Sequence, residues 1–314
     1  MRKTGMFSLA VGACAIAFAG PAVALNIALT NDDGWSATGI QVMKTALETA
    51  GHKVTLAAPL TDQSGSSMGF DQEALSVKKE AEGVYSVALF RDATIGAKPS
   101  NSAYVALAIV AEGGQPADLL ISGINTSANV GLSAILSGTV GAANHAAASV
   151  LNGPVPAIAV GTDEPSCGGD AACKRAHYQV VANFMVSFVA HLQKKPGFLA
   201  SEDALLPRGI ALIVSYPGTA SVSGIKVGVQ GESILLNGQK VSGEIKCLKL
   251  PCSTLAVGQT RTAAPSLKPG YSAEIKDSDV GYYTEGYITI VPIGPDLTAA
   301  NPLKFKSILP GLGF

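Results

Sequence analysis

Two adjacent carboxylates, Asp32 and Asp33, are the residues of this sequence whose chemistry is easiest to recognise. They follow the apolar run LNIALT and stand in the short segment from Asn31 to Gly34. Such a run predicts a buried strand, and open α/β sheets bind ligands just beyond the carboxyl ends of their strands. Two carboxylates buried together repel each other and need a cation. The pair therefore predicts an oxygen-rich divalent-metal site, and the alternative is an Asp-rich turn that caps the next helix.

A second polar segment, Ser137-Gly138-Thr139, precedes a helix predicted through Ala142 to Val150. A helix N-terminus presents backbone N–H groups and the positive end of the helix dipole, so it favours an anion. No lysine follows Gly138, so this is not a Walker loop, and an ordinary Ser or Thr helix cap is the alternative. A cation-binding segment and an anion-binding segment at one sheet edge together predict metal-assisted chemistry on a phosphate.

Other polar residues also follow predicted strands. The loop from Gln63 to Ser67 follows a strand end as well, and a serine hydroxyl in it can ligate a metal or bond a phosphate, or the loop is merely polar and flexible. Asn125 stands at the end of the predicted strand Asp118 to Ser122 and its extension, and Asn129 comes four residues later. The four histidines share no metal-binding spacing, and His145, six residues after Thr139, is a candidate acid or base.

The elements that position these groups follow from periodicity. A helix is predicted from Gly39 to Ala50 and a second buried strand from Val54 to Ala58, which makes a βαβ unit and a parallel sheet. Leu75 to Val77 and Val84 to Leu89 predict a hairpin lying off the main sheet. Further helices are predicted over 101–112 and 178–193, further strands over 156–161, 209–215 and 286–292, and a disulfide-bearing surface loop over 162–175.

Helical periodicity disappears between about residues 219 and 280, where short segments punctuated by Gly and Ser replace it. The predicted organisation is therefore an α/β core over 25–218, a β-rich excursion over 219–280 as a candidate oligomer contact, and a strand over 281–314 that returns to the core before a tail. The chain of 314 residues carries a net charge of −1 and only 14% charged residues. It therefore lacks the basic excess that captures nucleic acid polymers.

Residues 1–24 have the pattern of a secretory signal. Arg2 and Lys3 are followed by an apolar run and by Ala22-Val23-Ala24, a small-x-small cleavage site. One alternative is a retained anchor, but the run is short for a membrane span. Another is a lipoprotein with Val11-Gly12-Ala13 before Cys14, which leaves a very short apolar run ahead of the cysteine. Removal of the signal predicts an exported protein, periplasmic or secreted, with no membrane contact in its mature form.

Four cysteines remain after such cleavage: Cys167, Cys173, Cys247 and Cys252. In an exported chain their close spacings favour the disulfides Cys167–Cys173 and Cys247–Cys252. Zinc binding is the alternative, although neither spacing is Cys-x-x-Cys.

Five ordered blocks of the sequence resemble the SurE family of survival-protein nucleotidases. They are TNDDG followed by Gly39-Ile40, the QSG loop after Ala58, SGIN with Asn129 and Gly131, SGTVGAA from Ser137, and EGYITIVPI from Glu285. The resemblance implies a Rossmann-like α/β fold, mostly a parallel sheet with flanking helices. It also implies a homodimer or homotetramer and a metal-dependent phosphomonoesterase that acts on nucleoside 5′- or 3′-monophosphates.

The resemblance assigns roles residue by residue. The metal ligands would be Asp32, Asp33, Ser64 and Asn125, an all-oxygen set that suits Mg²⁺ or Mn²⁺. The phosphate-binding groups would be Asn31, Asn129, Ser137, Gly138 and Thr139. Asp32 acts as base or nucleophile in this scheme, or both aspartates are ligands only.

The chain also departs from the family pattern. Thr126-Ser127 stands where Arg-Gly is usual, Ser133 replaces an acidic residue, Leu136 replaces an aromatic residue or His, and Pro99-Ser100-Asn101 replaces a block with Asp. These changes motivate an alternative, a non-catalytic exported protein that binds a metal or nucleotide. A phosphatase of the haloacid dehalogenase type needs Asp-x-Asp after the strand, and Asn31 occupies its first position.

Overall fold

A nine-stranded mixed sheet and a separate three-stranded antiparallel sheet organise the chain in a computed structural model. The structure describes residues 23–148, 153–165, 167–194, 205–219, 221–236, 239–249, 251–269 and 274–294. Residues 1–22 of the predicted signal and the tail from 295 onwards lie outside the described residues.

The large sheet contains β1 (Asn26–Thr30), β2 (Lys53–Pro59), β3 (Leu75–Ala81), β4 (Val84–Leu89), β5 (Leu119–Asn125), β6 (Ala157–Thr162), β7 (Ala211–Tyr216), β8 (Gly224–Val227) and β12 (Tyr287–Ile293). The small sheet contains β9 (Ile234–Leu236), β10 (Gln239–Cys247) and β11 (Ala263–Pro269). The helices are α1 (Thr38–Thr49), α2 (Pro99–Glu112), α3 (Ser133–Leu136), α4 (Gly138–Ala148), α5 (Ala171–Lys194) and α6 (Asp279–Thr284).

The strand order of the large sheet is β3-β4-β2-β1-β5-β6-β7-β12-β8. β1 pairs in parallel with β2 on one side and with β5 on the other. The chain therefore runs away from β1 in both directions, and the crevice at such a switch point is where open α/β sheets bind ligands. This arrangement confirms the predicted α/β class with a mostly parallel sheet and flanking helices.

Helices cover both faces of the sheet, as a parallel sheet requires. α1 packs against α5 on one face, and α2 packs against α4 on the other. Each face has its own buried apolar cluster, with Ile27 and Leu29 of β1 in the first and Ala28 of the same strand in the second. β1 is therefore buried on both sides, which explains why its sequence is continuously apolar instead of alternating.

The hairpin predicted from Leu75 to Leu89 forms, but its predicted location off the main sheet is wrong. β4 pairs in parallel with β2, so β3 and β4 extend the large sheet at one edge. The alternating pattern of β3 reflects its edge position, since one of its faces is open to solvent.

The loop predicted over 162–175 is shorter than expected, because α5 already begins at Ala171. Cys173 therefore lies in the first turn of a helix, and it forms a disulfide with Cys167. Cys247 is also disulfide-bonded, while the side chain of Cys252, its predicted partner, lies outside the described residues.

The C-terminal strand β12 lies between β7, to which it is antiparallel, and β8, to which it is parallel. The small sheet meets the loop after β5 at a bridge between Ile234 and Gly131, and Leu235 of β9 packs in a buried apolar cluster with Val130 of that loop. Within the described part of the chain, no helix has the length and apolar character needed to cross a membrane.

Candidate active site

Four segments of the chain meet beside the carboxyl ends of β1 and β5. They are the turn after β1, the loop after β2, the loop after β5 and the N-terminus of α4. The N–H of Gln63 donates to the backbone carbonyl of Asp32 over 2.8 Å, which ties the second segment to the first. The side chains of Thr126 and Thr139 tie the other two segments to the aspartates. Segments far apart in sequence therefore converge on Asp32 and Asp33.

The carboxylate of Asp32 is held by α4. Its Oδ2 accepts from the N–H of Thr139 at 3.1 Å, and its Oδ1 accepts from the Thr139 hydroxyl. The residue is 2% exposed, and burial raises the pKa of Asp32 while the two bonds from Thr139 act in the opposite direction. In this structure Thr139 therefore orients a metal-ligand candidate, and its predicted contact with phosphate stays a prediction.

Asp33 has one satisfied oxygen and one unsatisfied oxygen. The Thr126 hydroxyl donates to Oδ1 over 3.1 Å, whereas Oδ2 is buried without a hydrogen-bond partner among the described residues. Burial, followed by the neighbouring charge of Asp32, raises the pKa of Asp33 to about 7. No Lys, Arg or His of the described chain forms an ion pair with either aspartate. Within the described residues, the two adjacent carboxylates therefore have no cationic side chain paired with them.

Asn125 and Asn129 form the facing wall. The Asn125 Nδ2 donates to the carbonyl of Ser127 at 2.9 Å and contacts the Oδ1 of Asn129 at 3.4 Å. The Nδ2 of Asn129 is buried and has no hydrogen-bond acceptor among the described residues. A buried amide without a partner is costly, so this N–H₂ group is a donor available for a bound anion.

Gly161, at the end of β6, makes room for these two amides. A Cβ at this position would lie 2.4 Å from the Ser127 carbonyl oxygen and 2.9 Å from the Asn129 Nδ2. A glycine at position 161 of β6 therefore leaves the space that the Asn125 and Asn129 side chains occupy.

Two serines of the loop after β2 differ in their environment, and metal binding by Ser64 stays a prediction. Ser64, the predicted ligand, is exposed, and its N–H donates to Asp62 over 2.8 Å. Ser66 instead has a buried hydroxyl without a partner among the described residues. An added Cβ on Gly138 would lie 2.6 Å from the Ser66 Oγ and 3.0 Å from the Asp32 Cβ. Ser66 is therefore a site residue that the sequence motif did not single out.

Asn31, Ser137 and His145 are engaged locally. Both polar atoms of the Asn31 side chain bond the backbone of Gly34, at 3.0 and 3.2 Å, so Asn31 shapes the turn that presents the aspartates. The Ser137 hydroxyl accepts from the N–H of Val140 at 3.1 Å and caps α4. The Nε2 of His145 contacts the carbonyl of Met68 at 3.0 Å, so the structure gives this ring a contact to a loop instead of to an aspartate. Phosphate binding by Asn31 and Ser137 stays a prediction.

Asp279 supports the site from the C-terminal part of the chain, and sequence reasoning missed it. It is 1% exposed. Its carboxylate accepts backbone N–H bonds from Gly131 at 3.0 Å, Gly231 at 2.7 Å and Val280 at 2.8 Å. The bond to Gly131 fixes the loop that carries Asn129. The only local sign of this role is an Asp directly after the Ser278 N-cap of α6. The same pattern occurs at the start of an ordinary helix.

A cavity of about 980 Å³ opens beside the loop after β5. Thr126, whose hydroxyl bonds Asp33, lines it together with Ser127 and Ser133, so three of the positions that depart from the family pattern face this space. The remaining walls come from the ends of β6, β7 and α6 and from β9.

The donor set fits a hard divalent cation. Among the described residues, no three His, Cys, Asp or Glu side chains cluster around a possible metal position. Two carboxylates with hydroxyl and amide oxygens nevertheless suit Mg²⁺ or Mn²⁺, which prefer oxygen and keep several waters. The unpartnered Oδ2 of Asp33 is the observation that supports this fit.

Substitution of Gly138 by alanine is expected to disrupt the site sterically. The new methyl group would lie 2.6 Å from the Ser66 hydroxyl, 2.9 Å from the Cγ of Pro99 and 3.0 Å from the Asp32 Cβ. We expect kcat/KM for phosphomonoesters to fall about 100-fold, since a misplacement of about 1 Å has that cost. Gly113→Ala, at the C-terminus of α2, is the matched control, and equal activity of the two variants would contradict this account.

Comparison with known proteins gives a consistent family assignment. A family model described as "Survival protein SurE" matches residues 27–235. The "5'-nucleotidase SurE" of Lawsonia intracellularis (strain PHE/MN1-00) is 31% identical over 285 residues, covering 89% of this chain and 97% of the relative. The protein of that name from Wolbachia sp. subsp. Brugia malayi (strain TRS) is 26% identical over 281 residues, covering 88% and 93%.

The crystal structure of the SurE protein from Aquifex aeolicus has the same fold. It superposes with a TM-score of 0.65 at 23% sequence identity, covering 90% of this chain and 98% of that one. The match of the family model to most of the chain, together with the Lawsonia relative, confirms the resemblance of the sequence motifs. The chain belongs to the SurE family.

Proposed function

We propose that this chain is a divalent-metal-dependent phosphomonoesterase that releases phosphate from nucleoside 5′- or 3′-monophosphates. One observation carries the proposal: at the same sheet edge, two buried polar atoms of opposite character have no hydrogen-bond partner among the described residues. They are the carboxylate oxygen Oδ2 of Asp33 and the amide nitrogen Nδ2 of Asn129. The first fits a cation and the second fits an anion, and a metal phosphate ester supplies both. The names of the relatives support the nucleotidase class.

The chain's own residues have distinct tasks in this proposal. Asp32, Asp33, Ser64 and Asn125 would hold Mg²⁺ or Mn²⁺. The bound cation would supply Lewis acidity and neutralise charge on the phosphate. Thr139 orients the carboxylate of Asp32. Asn129 would donate to a phosphate oxygen, and the N-terminus of α4 would stabilise charge that grows on the equatorial oxygens.

An assay of phosphate release tests the proposal. Residues 25–314 would be purified, stripped with a chelator and assayed with nucleoside 5′- and 3′-monophosphates and phenyl phosphate, with and without Mg²⁺ or Mn²⁺. We expect release only with a restored cation. Nucleotide binding without release, from folded and metal-loaded protein, would overturn the proposal in favour of the non-catalytic alternative that Thr126 and Ser133 motivate.

The stabilisation by a divalent cation is expected to depend on pH. Because the folded-state pKa of Asp33 is raised to about 7, folded, metal-free protein binds more protons than unfolded protein below that pH. Its stability therefore falls as pH rises from the ordinary Asp pKa towards about 7. A cation displaces this proton, so its apparent affinity rises up to about ten-fold per pH unit and levels off above about pH 7. The shift in melting temperature that Mg²⁺ causes, recorded between about pH 5 and 8, measures this pH dependence of the apparent affinity. A shift that does not change with pH would contradict the prediction.

Export and self-association are further parts of the proposal. The sequence pattern of residues 1–24 supports export, and the Cys167–Cys173 disulfide suits an oxidising compartment. We propose a periplasmic or secreted homodimer or homotetramer. Fractionation of expressing cells and light scattering of the purified protein test the two statements separately.

A further inference from the structure

We propose that the cavity of about 980 Å³ beside Thr126 is the leaving-group pocket, and that Asp163 and Glu164 restrict it to uncharged leaving groups rich in hydroxyls. This inference rests on the proposed function, since it names the leaving group of that reaction. It goes further because it predicts which phosphate esters are refused.

The cavity is joined to the site by a continuous piece of backbone. Thr126, Ser127 and Ala128 line it directly after Asn125, and the Thr126 hydroxyl bonds the Asp33 carboxylate over 3.1 Å. A phosphate held near Asp33 therefore places its ester oxygen within reach of this space. Pockets of about 300–1,000 Å³ hold small organic ligands, so a nucleoside fits.

The walls combine apolar and hydrogen-bonding surface. Ile234, Leu235 and Tyr283 offer apolar contact for a flat ring, while Thr219 and Thr284 add hydroxyl groups to the lining. This is the lining expected for a ring that carries a polyol, because the apolar part can be buried while hydroxyl groups keep partners.

The charge of the cavity lining also selects among leaving groups. Among the described residues, the ionisable side chains that line the cavity are those of Tyr283, Asp163 and Glu164. The last two are carboxylates. Asp163 accepts from the N–H of Ala128 at 3.0 Å, and Glu164 pairs with Lys174 at 2.5 Å. No Lys or Arg of the described residues lines the cavity itself. Carboxylates accept hydrogen bonds from ribose hydroxyls but repel a second phosphate.

Competition among three esters tests the substrate class. The probes are AMP, adenosine 3′,5′-bisphosphate and phenyl phosphate, each with metal-loaded protein. We expect kcat/KM for AMP to exceed that for the bisphosphate at least ten-fold. Glu164→Gln removes a carboxylate and leaves Lys174 without this partner. It is expected to lower the ratio of kcat/KM for AMP to that for the bisphosphate at least three-fold. Equal use of AMP and the bisphosphate by the unmodified protein would overturn the charge argument.

Filling the cavity tests its location. Thr284→Trp is expected to lower the ratio of kcat/KM for AMP to that for phenyl phosphate at least ten-fold, and Thr219→Trp provides a second variant from another wall. Thr49→Trp is the matched control, because Thr49 and Thr284 each end a helix, are exposed and bond a backbone carbonyl of the preceding turn. A ratio that is unchanged in both cavity variants would overturn the assignment.

Binding of adenosine, which carries no phosphate, separates this inference from the proposed function. Calorimetry is expected to show at least ten-fold weaker adenosine binding to Thr284→Trp than to Thr49→Trp. If no ester is hydrolysed but this difference is found, the proposed function fails, and the cavity is a nucleoside-binding pocket instead of a leaving-group pocket. If phenyl phosphate is hydrolysed and adenosine binds all variants equally, the pocket assignment fails alone.

Discussion

Asp33→Asn is expected to abolish phosphate release, lowering kcat/KM about 10³-fold or more, while the protein stays folded. The asparagine Oδ1 can still accept from Thr126, so the turn keeps its hydrogen bond. The buried Oδ2, which lacks a partner among the described residues, is replaced by an N–H₂ group that cannot ligate a cation. Metal-dependent turnover and calorimetric Mg²⁺ binding should therefore be lost together.

The free energy of unfolding of Asp33→Asn shows whether turnover is lost through the chemistry of the site or through unfolding. The pKa of Asp33 is raised to about 7, so at about pH 8 its ionised form opposes folding of the metal-free protein. The neutral amide removes that penalty and is expected to stabilise the metal-free protein by about 1–4 kcal/mol. Asp118→Asn, at the opposite end of the same strands, is the control carboxylate. Retained turnover in Asp33→Asn would contradict the metal-ligand assignment.

Asp279→Ala is expected to weaken both the fold and the site. Three backbone N–H groups, those of Gly131, Gly231 and Val280, lose a buried acceptor. Leaving such donors unsatisfied costs about 2–5 kcal/mol of unfolding free energy. Because Gly131 closes the loop that carries Asn129, we also expect kcat/KM to fall about 10- to 100-fold.

The partial mimic Asp279→Asn distinguishes positioning from general destabilisation. Its oxygen can accept some of the three bonds, but its N–H₂ group must face another donor. A kcat intermediate between those of Asp279→Ala and unmodified protein, measured well below the melting temperature, is expected. Asp277→Asn is the matched control, since Asp277 is exposed and its carboxylate accepts from Tyr282. Unchanged kcat in Asp279→Ala would show that the residue is only structural.

Local patterns were enough to predict the elements that carry the aspartates. The continuous apolar run of β1 is a direct result of burial on both faces, and the parallel βαβ unit follows from its spacing to β2. The convergence of Asp32 with Thr139 also follows, because parallel strands end at one edge.

The remaining features depend on contacts between distant segments. The pattern of β3 is that of any amphipathic hairpin, and only its pairing partner β2 decides that it joins the large sheet. The motif favours Ser64, and that the Ser66 hydroxyl also lies beside Gly138 depends on a contact between distant segments. Asp279 meets Gly131 across 148 residues of sequence, and no local propensity encodes such a contact.

The place of β12 has a consequence for the order in which the protein can mature. β8 (Gly224–Val227) joins the large sheet only through β12 (Tyr287–Ile293), which also pairs with β7. The edge of the sheet is therefore completed only after residue 293 has been synthesised, and the helix bearing Asp279 is added almost as late. A nascent chain that already displays Asp32, Asp33 and Asn129 would still lack the buried clamp on the loop that carries Asn129, so catalytic competence would be acquired near the end of synthesis.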